Sequence, residues 1–170
     1  MSEDIKNSAD TKFGWQSHYD RMNRWRERAL EFADADLNHR SDDAVDFFLA
    51  YCLWAHSLRE WLLETKTVPK EHLDRLLANQ TAWNMCRDMA NRSRHYNLRK
   101  KPTDKFWQLA REIDINSIMS GGSSKQTWYV NFDGESYSVS ETVNQISEMW
   151  RSILSELRQT TSSDENSQTQ

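Results

Sequence analysis

One segment concentrates the residue types that do chemistry: Cys86-Arg87-Asp88-Met89-Ala90-Asn91-Arg92-Ser93-Arg94-His95-Tyr96. On a helix each residue turns by about 100°. With Arg87 at the origin, Asn91 falls at about 40°, His95 at about 80° and Arg94 at about −20°. Cys86, Ala90 and Ser93 gather on a neighbouring small or apolar face. Asp88, at about 100°, borders His95 and is placed to orient it. A histidine exchanges a proton near neutral pH. An arginine offers a rigid fork of donors to phosphate oxygens. An asparagine holds a hydroxyl or another phosphate oxygen. Cleavage of RNA through its own 2′-hydroxyl needs no metal and no protein nucleophile, so this set suits a phosphodiester. The plainer reading is a solvated, ion-paired helix surface.

Charge extends the same segment. Residues 92–101, RSRHYNLRKK, hold five Lys or Arg and no acid, with Tyr96 inside the run. Arg92, Tyr96, Arg99, Lys100 and Lys101 therefore read as an RNA-binding footprint. Cations at a helix C-terminus also favour the helix dipole, which is the competing explanation.

Other sites are weaker. His56 and Glu60 stand at i,i+4, a metal-compatible spacing, but no second pair accompanies them. Arg59 and Glu60 instead read as bundle partners of the polar face around Arg87. Cys52 and Cys86 fall on apolar stripes and are expected to be reduced core residues. No phosphate-cradling or nucleophile-elbow motif occurs, and no metal or cofactor is expected.

The elements that would position these residues follow from composition and period. Four Gly and two Pro in 170 residues argue against a sandwich or propeller and for long helices. Only 37% of residues are apolar, but eight Trp make an economical core plausible. The net charge of −4 excludes a globally basic nucleic-acid coat, though not a local basic patch. No apolar stretch approaches a membrane span, and the start MSEDIKNSADTK has no apolar signal region. A cytoplasmic chain without membrane contact is the expectation.

Residues 1–14 read as a flexible arm. Tyr19, Met22, Trp25, Ala29 and Phe32 predict a first helix over about 16–36. Val45, Phe48, Cys52, Ala55, Leu58 and Leu62 predict a second to about Glu64. Its extra stripe of Phe47, Tyr51, Trp54 and Trp61 suits a helix central in a bundle or at a dimer contact. Pro69 opens a short helix with Leu73, Leu76 and Leu77 on one edge. A further helix runs from Gln80 to about Tyr96, its buried side made by Trp83, Cys86, Met89, Ala90 and Ser93. A small antiparallel sheet is expected between about 112 and 139, with Asp133-Gly134 as its hairpin turn. The last helix begins after Ser140 and carries Val143, Ile146, Trp150, Ile153, Leu154 and Leu157. The expectation is one mostly helical domain over 15–158, with four long helices, one short helix and the β insertion. The polar tail 159–170 is expected to be disordered.

The segment MCRDMANRSRHYNLR resembles a helix signature of bacterial and phage proteins similar to the HEPN superfamily. Leu58-Arg59-Glu60-Trp61, the late strand pair and the central Trp150 of the last helix fit it too. The resemblance covers roughly 42–157. It implies a HEPN-like helical bundle, commonly dimeric. It also implies RNA binding or metal-independent ribonuclease activity in toxin–antitoxin or phage-defence biology. The partners implied are RNA, an antitoxin or a phage or host protein, and a second copy of the chain. In that family four to six residues separate an Arg from the catalytic His that follows it. Here seven residues separate Arg87 from His95 and two separate Arg92 from it. Two functions therefore stand side by side. In a ribonuclease, His95 is the acid and base, Arg87 and Arg94 stabilise the transition state, and Asn91 positions the substrate. The alternative is a non-catalytic interaction or dimerisation module.

Overall fold

The computed structural model describes residues 14–33, 41–94, 102–114, 119–120 and 126–167. Its elements run α1 Trp15–Ala33, α2 Ser41–Glu64, α3 Lys70–Leu77, α4 Thr81–Arg94, β1 Gln108–Ile113, β2 Gln126–Phe132, β3 Glu135–Ser138 and α5 Val139–Ser167. The chain is mostly helical, with a three-stranded antiparallel sheet before the last helix.

Helix α2 is central because its apolar sector is wide. Phe48, Tyr51, Cys52, Ala55, Leu58 and Leu62 are all fully buried. Phe47, Trp54 and Leu63 pack against the same core from partly exposed positions. One helix with so much apolar circumference needs neighbours on several sides. Helices α1, α4 and α5 supply them through Met22 and Ala29, Met85 and Met89, and Ile146 and Trp150.

The end of α2 is set by backbone chemistry. Lys66 takes a left-handed φ of 53°. The Thr67 amide then donates to the Leu62 carbonyl and the Lys66 amide to that of Leu63, both at 3.0 Å. This pair of bonds satisfies carbonyls that the helix leaves open. Pro69, with φ −62° and ψ 140°, restarts the chain as α3.

The sheet is larger than the sequence period suggests. It begins at Gln108 rather than near residue 112, because β1 adds a third strand. Gln108 pairs with Asn131 and Ile113 with Gln126; across the hairpin, Tyr129 pairs with Ser138. Asp133 and Gly134 both have positive φ, 52° and 84°, as a tight hairpin turn requires. Gln126, Val130 and Phe132 are buried, so one face of β2 closes the core. The weak alternation of Gln108–Ile113 hid the first strand: half of its residues are exposed.

Two further expectations change. Ser93, expected on the buried side of α4, is exposed, while Asp88 is buried. The last helix starts at Val139, with the Glu141 amide on the Ser138 hydroxyl at 3.0 Å. It continues to Ser167, beyond the expected disordered tail at 159. Neither Gly nor Pro follows Leu157, and each added residue extends the hydrogen-bond ladder. Residues 1–13 and 168–170 lie outside the described residues.

A polar pin joins α2 to α5. The Tyr51 hydroxyl is 2.7 Å from Ser147 Oγ and 3.2 Å from the Val143 carbonyl. Tyr51→Phe is expected to remove about 1 kcal/mol of stability, since Ser147 keeps its own bond to Val143 at 2.8 Å. Urea denaturation of the two proteins measures it.

Candidate functional site

The site is built where α4 crosses α2. Small side chains let the two helices approach closely. Cys86 Sγ donates to the Cys52 carbonyl at 3.4 Å, and Cys52 Sγ lies 3.9 Å from Met89 Sδ. Both cysteines are free and buried. His56 follows Ala55 on α2 and emerges at the edge of this contact. Its ring stacks on Trp83 of α4, with centroids 5.2 Å apart and an interplanar angle of 11°.

Arg94, in the last turn of α4, folds back over its own helix onto His56. Its Nε donates to the Ala90 carbonyl at 3.2 Å. Its Nη2 lies 3.1 Å from Asn91 Oδ1 and 3.3 Å from His56 Nδ1. A guanidinium only donates, so Nδ1 is the acceptor and the imidazole proton sits on Nε2. Burial, then the charges of Arg94, Arg59 and Arg87, push the His56 pKa down to about 4. His56 is thus a neutral imidazole set among three guanidinium groups.

The other two guanidinium groups have carboxylate partners. Arg59 donates to Asp74 of α3 through Nε at 3.1 Å, and Lys70 also reaches Asp74, at 2.7 Å. The Asp74 carboxyl is held below its usual range by Lys70 and Arg59. Arg87 donates to Asp88 Oδ1 through Nε and Nη2, both at 3.1 Å, and to the Thr103 hydroxyl.

Asp88 is 1% exposed and anchors a chain of bonds toward the sheet. Its Oδ2 accepts the amides of Thr103 at 2.6 Å and Asp104 at 3.0 Å. Asp104 in turn accepts the amides of Phe106 at 2.7 Å and Asp133 at 2.9 Å. One carboxylate thereby fixes the chain after α4, and a second ties that chain to the β2–β3 turn. The expected task of orienting His95 concerns a residue outside the described ones. Helical spacing gave Asp88 an angle but not a partner fifteen residues away.

The structure joins Asn91 to Arg94, which reaches His56 of α2, while Arg87 is held by Asp88 and Thr103; Asn91 and Arg87 are half-buried and Arg94 is exposed. Arg92 is exposed on the same helix. His95, Tyr96, Arg99, Lys100 and Lys101 lie outside the described residues. His56 is a functional candidate that the sequence reading passes over as a weak metal spacing. The available signal was a lone histidine beside an apolar stripe, three residues before Arg59.

A second histidine is buried elsewhere. His18 of α1 is 2% exposed and lies against the rings of Trp54 and Trp61, at 4.8 and 5.1 Å. Its Nε2 is 2.8 Å from the Trp54 carbonyl, which can only accept. Nδ1 is therefore a bare acceptor, buried without a partner among the described residues. Burial lowers the His18 pKa.

Fold and site together define a helical protein with a small sheet and a cationic, imidazole-bearing face between α2 and α4. Set against protein-family models, characterised proteins and solved structures, the chain matches none of them. Among the described residues no helix is long and apolar enough to cross a membrane.

Proposed function

We propose that the chain is a HEPN-like RNA-binding protein whose α2–α4 face receives the phosphodiester backbone. The observation that carries this reading is the neutral His56 ringed by Arg59, Arg87 and Arg94. Uncompensated positive charge beside a hydrogen-bonding imidazole favours a phosphate over a neutral ligand. Arg94 supplies the charge, and Asn91 sits beside it to hold a sugar hydroxyl or a phosphate oxygen. The resemblance adds the biology of toxin–antitoxin or phage conflict, with a homodimer that places two α4 faces about one cleft.

The same face supplies what metal-independent RNA cleavage requires. The 2′-oxygen attacks phosphorus and its proton passes to an imidazole. The bond to the 5′-oxygen breaks, and that oxygen takes a proton from the imidazolium or from water, the imidazolium otherwise giving its proton to solvent. A 2′,3′-cyclic phosphate and a 5′-hydroxyl result. Guanidinium groups stabilise the charge on the pentacoordinate phosphorus.

One observation favours the second reading, a non-catalytic interaction module. Arg87 is engaged by Asp88 and Thr103, which makes it a structural clamp as well as a charge. Binding and cleavage assays separate the two. Single-stranded RNA is expected to bind with an affinity that falls with salt, by a log–log slope of about −0.7 per neutralised phosphate. Arg94→Glu is expected to weaken binding about tenfold or more, the worth of a charge-assisted bond, and to flatten the slope. Fluorescence anisotropy at several salt concentrations reads both. Equal affinity in the two proteins removes this face as the RNA site. Cleavage that survives EDTA and is lost in His56→Gln or His95→Ala identifies the ribonuclease; binding without cleavage identifies the module.

A further inference from the structure

The three guanidinium groups around His56 are not equivalent. Arg59 is paired with Asp74 and Arg87 with Asp88. Arg94 has three partners, the Ala90 carbonyl, Asn91 Oδ1 and His56 Nδ1, and each is neutral. Among the described residues no carboxylate pairs with it. An arginine that rests on an imidazole holds a weak position. A phosphate oxygen offers it a bond about twice as strong as a neutral acceptor does. The imidazole it would leave carries its proton on Nε2, a second donor for an anion.

We infer that Arg94 and His56 form an anion-operated switch, in which an incoming phosphate group takes Arg94 from His56 Nδ1 and frees that nitrogen to accept a proton. This inference rests on the proposed role of the α2–α4 face in holding a phosphodiester and names how the site responds to it. The ligand class is a phosphate monoester or diester. The Arg94 N–H on the Nδ1 lone pair competes with a proton from water for that nitrogen. With Arg94 turned onto phosphate, the lone pair is exposed and the nearest charge is neutralised. The proton then enters from solvent, or from the 2′-hydroxyl of a bound RNA, and no other bond changes in the switch itself.

The charges that face the ring set its size. Arg59 acts from the same helix, and Arg87 and Arg94 act from α4. Arg59 carries Asp74 with it, and Arg87 carries Asp88. Among the described residues only Arg94 is both in contact with the ring and without a counter-charge, so it is the element able to move. Its side chain is exposed at the helix end, which leaves the motion free of core packing.

The test follows the His56 ring by NMR across pH in the full chain, at constant ionic strength. His56→Gln assigns the signal by its loss. In chloride the ring is expected to titrate at about 4. Saturating inorganic phosphate is expected to raise that midpoint by about one unit or more. Arg94→Gln is expected to raise the midpoint in chloride and to lose most of the phosphate effect. Arg75→Gln, on exposed α3 surface, is expected to behave as wild type. A midpoint that phosphate leaves unmoved overturns the switch. So does a phosphate shift of equal size in Arg94→Gln, or an Arg75→Gln response matching that of Arg94→Gln. Phosphate that moves His56 in a protein that fails to bind RNA supports the switch while removing the RNA reading. RNA that binds and leaves His56 unmoved keeps the RNA reading and overturns the switch.

Discussion

Replacement of Asp88 by Ala is expected to lower stability by about 3 kcal/mol and to loosen the sheet from α4. The carboxylate is buried and accepts from Arg87, Thr103 and Asp104. Its loss leaves two backbone amides without an acceptor and the Arg87 guanidinium with the Thr103 hydroxyl in place of a carboxylate. Removing one partner of a buried ion pair costs about 3–5 kcal/mol. The Arg87 side chain is 33% exposed and recovers part of this from water, which places the value at the low end. For a chain of this size that is a fall in Tm of about 6–12 °C.

Asp88→Asn sharpens the expectation. An amide keeps one acceptor but presents N–H groups to donors on its other side. About 2 kcal/mol is expected, between wild type and Ala. Hydrogen exchange supplies the local readout. The Thr103, Asp104 and Asp133 amides are expected to lose protection in Asp88→Ala before the amides of α2 do. Wild-type stability in Asp88→Ala, with those amides still protected, would show that the bonds around Asp88 contribute nothing to holding the sheet.

The second large effect is expected from acid. An unfolded histidine titrates near 6.5, whereas folded His56 titrates at about 4 and folded His18 is lowered too. Between those values the unfolded chain binds more protons than the folded one. Stability is then complete above about pH 6.5 and is lost as pH falls toward 4. The His56 shift corresponds to about 3 kcal/mol, reduced toward about 2 kcal/mol by solvent at this half-buried position. His18 adds to the loss in the same direction, because its protonated ring has a buried N–H without an acceptor.

Asp74 belongs to a different window. Lys70 and Arg59 lower its pKa, so its contribution is lost only below the usual carboxylate value of 3.8. Urea midpoints measured from pH 7 to 4.5 in phosphate-free buffer therefore isolate the histidines. His56→Gln is expected to flatten the profile in part, and a second substitution, His18→Gln, to flatten the rest. A wild-type profile that is already flat over this range would mean that both rings are reached by water and protonate freely.

The sequence by itself determined the helices, because each carries its own periodic evidence. Phe48, Cys52, Ala55, Leu58 and Leu62 follow one stripe and are all fully buried. The positive-φ pair Asp133-Gly134 marked the hairpin for the same local reason: few residue pairs adopt that turn. The angular spacing of Arg87, Asn91 and Arg94 is likewise a property of one helix. What lay beyond one element was not legible. β1 pairs with a strand that begins thirteen residues after it ends, and pairing at that distance leaves little trace in six half-exposed residues. Ser93 and Asp88 exchanged places because burial on α4 depends on what lies opposite, here α2 on one side and residues 103–104 on the other. The union of His56 with Arg94 spans thirty-eight positions and is made where Cys86 of α4 packs on the Cys52 backbone of α2. Residue type told which groups were able to exchange protons or hold phosphate. Only the packing of two helices decided which of them meet, since contact distance is set by the small side chains between them and not by spacing along either one.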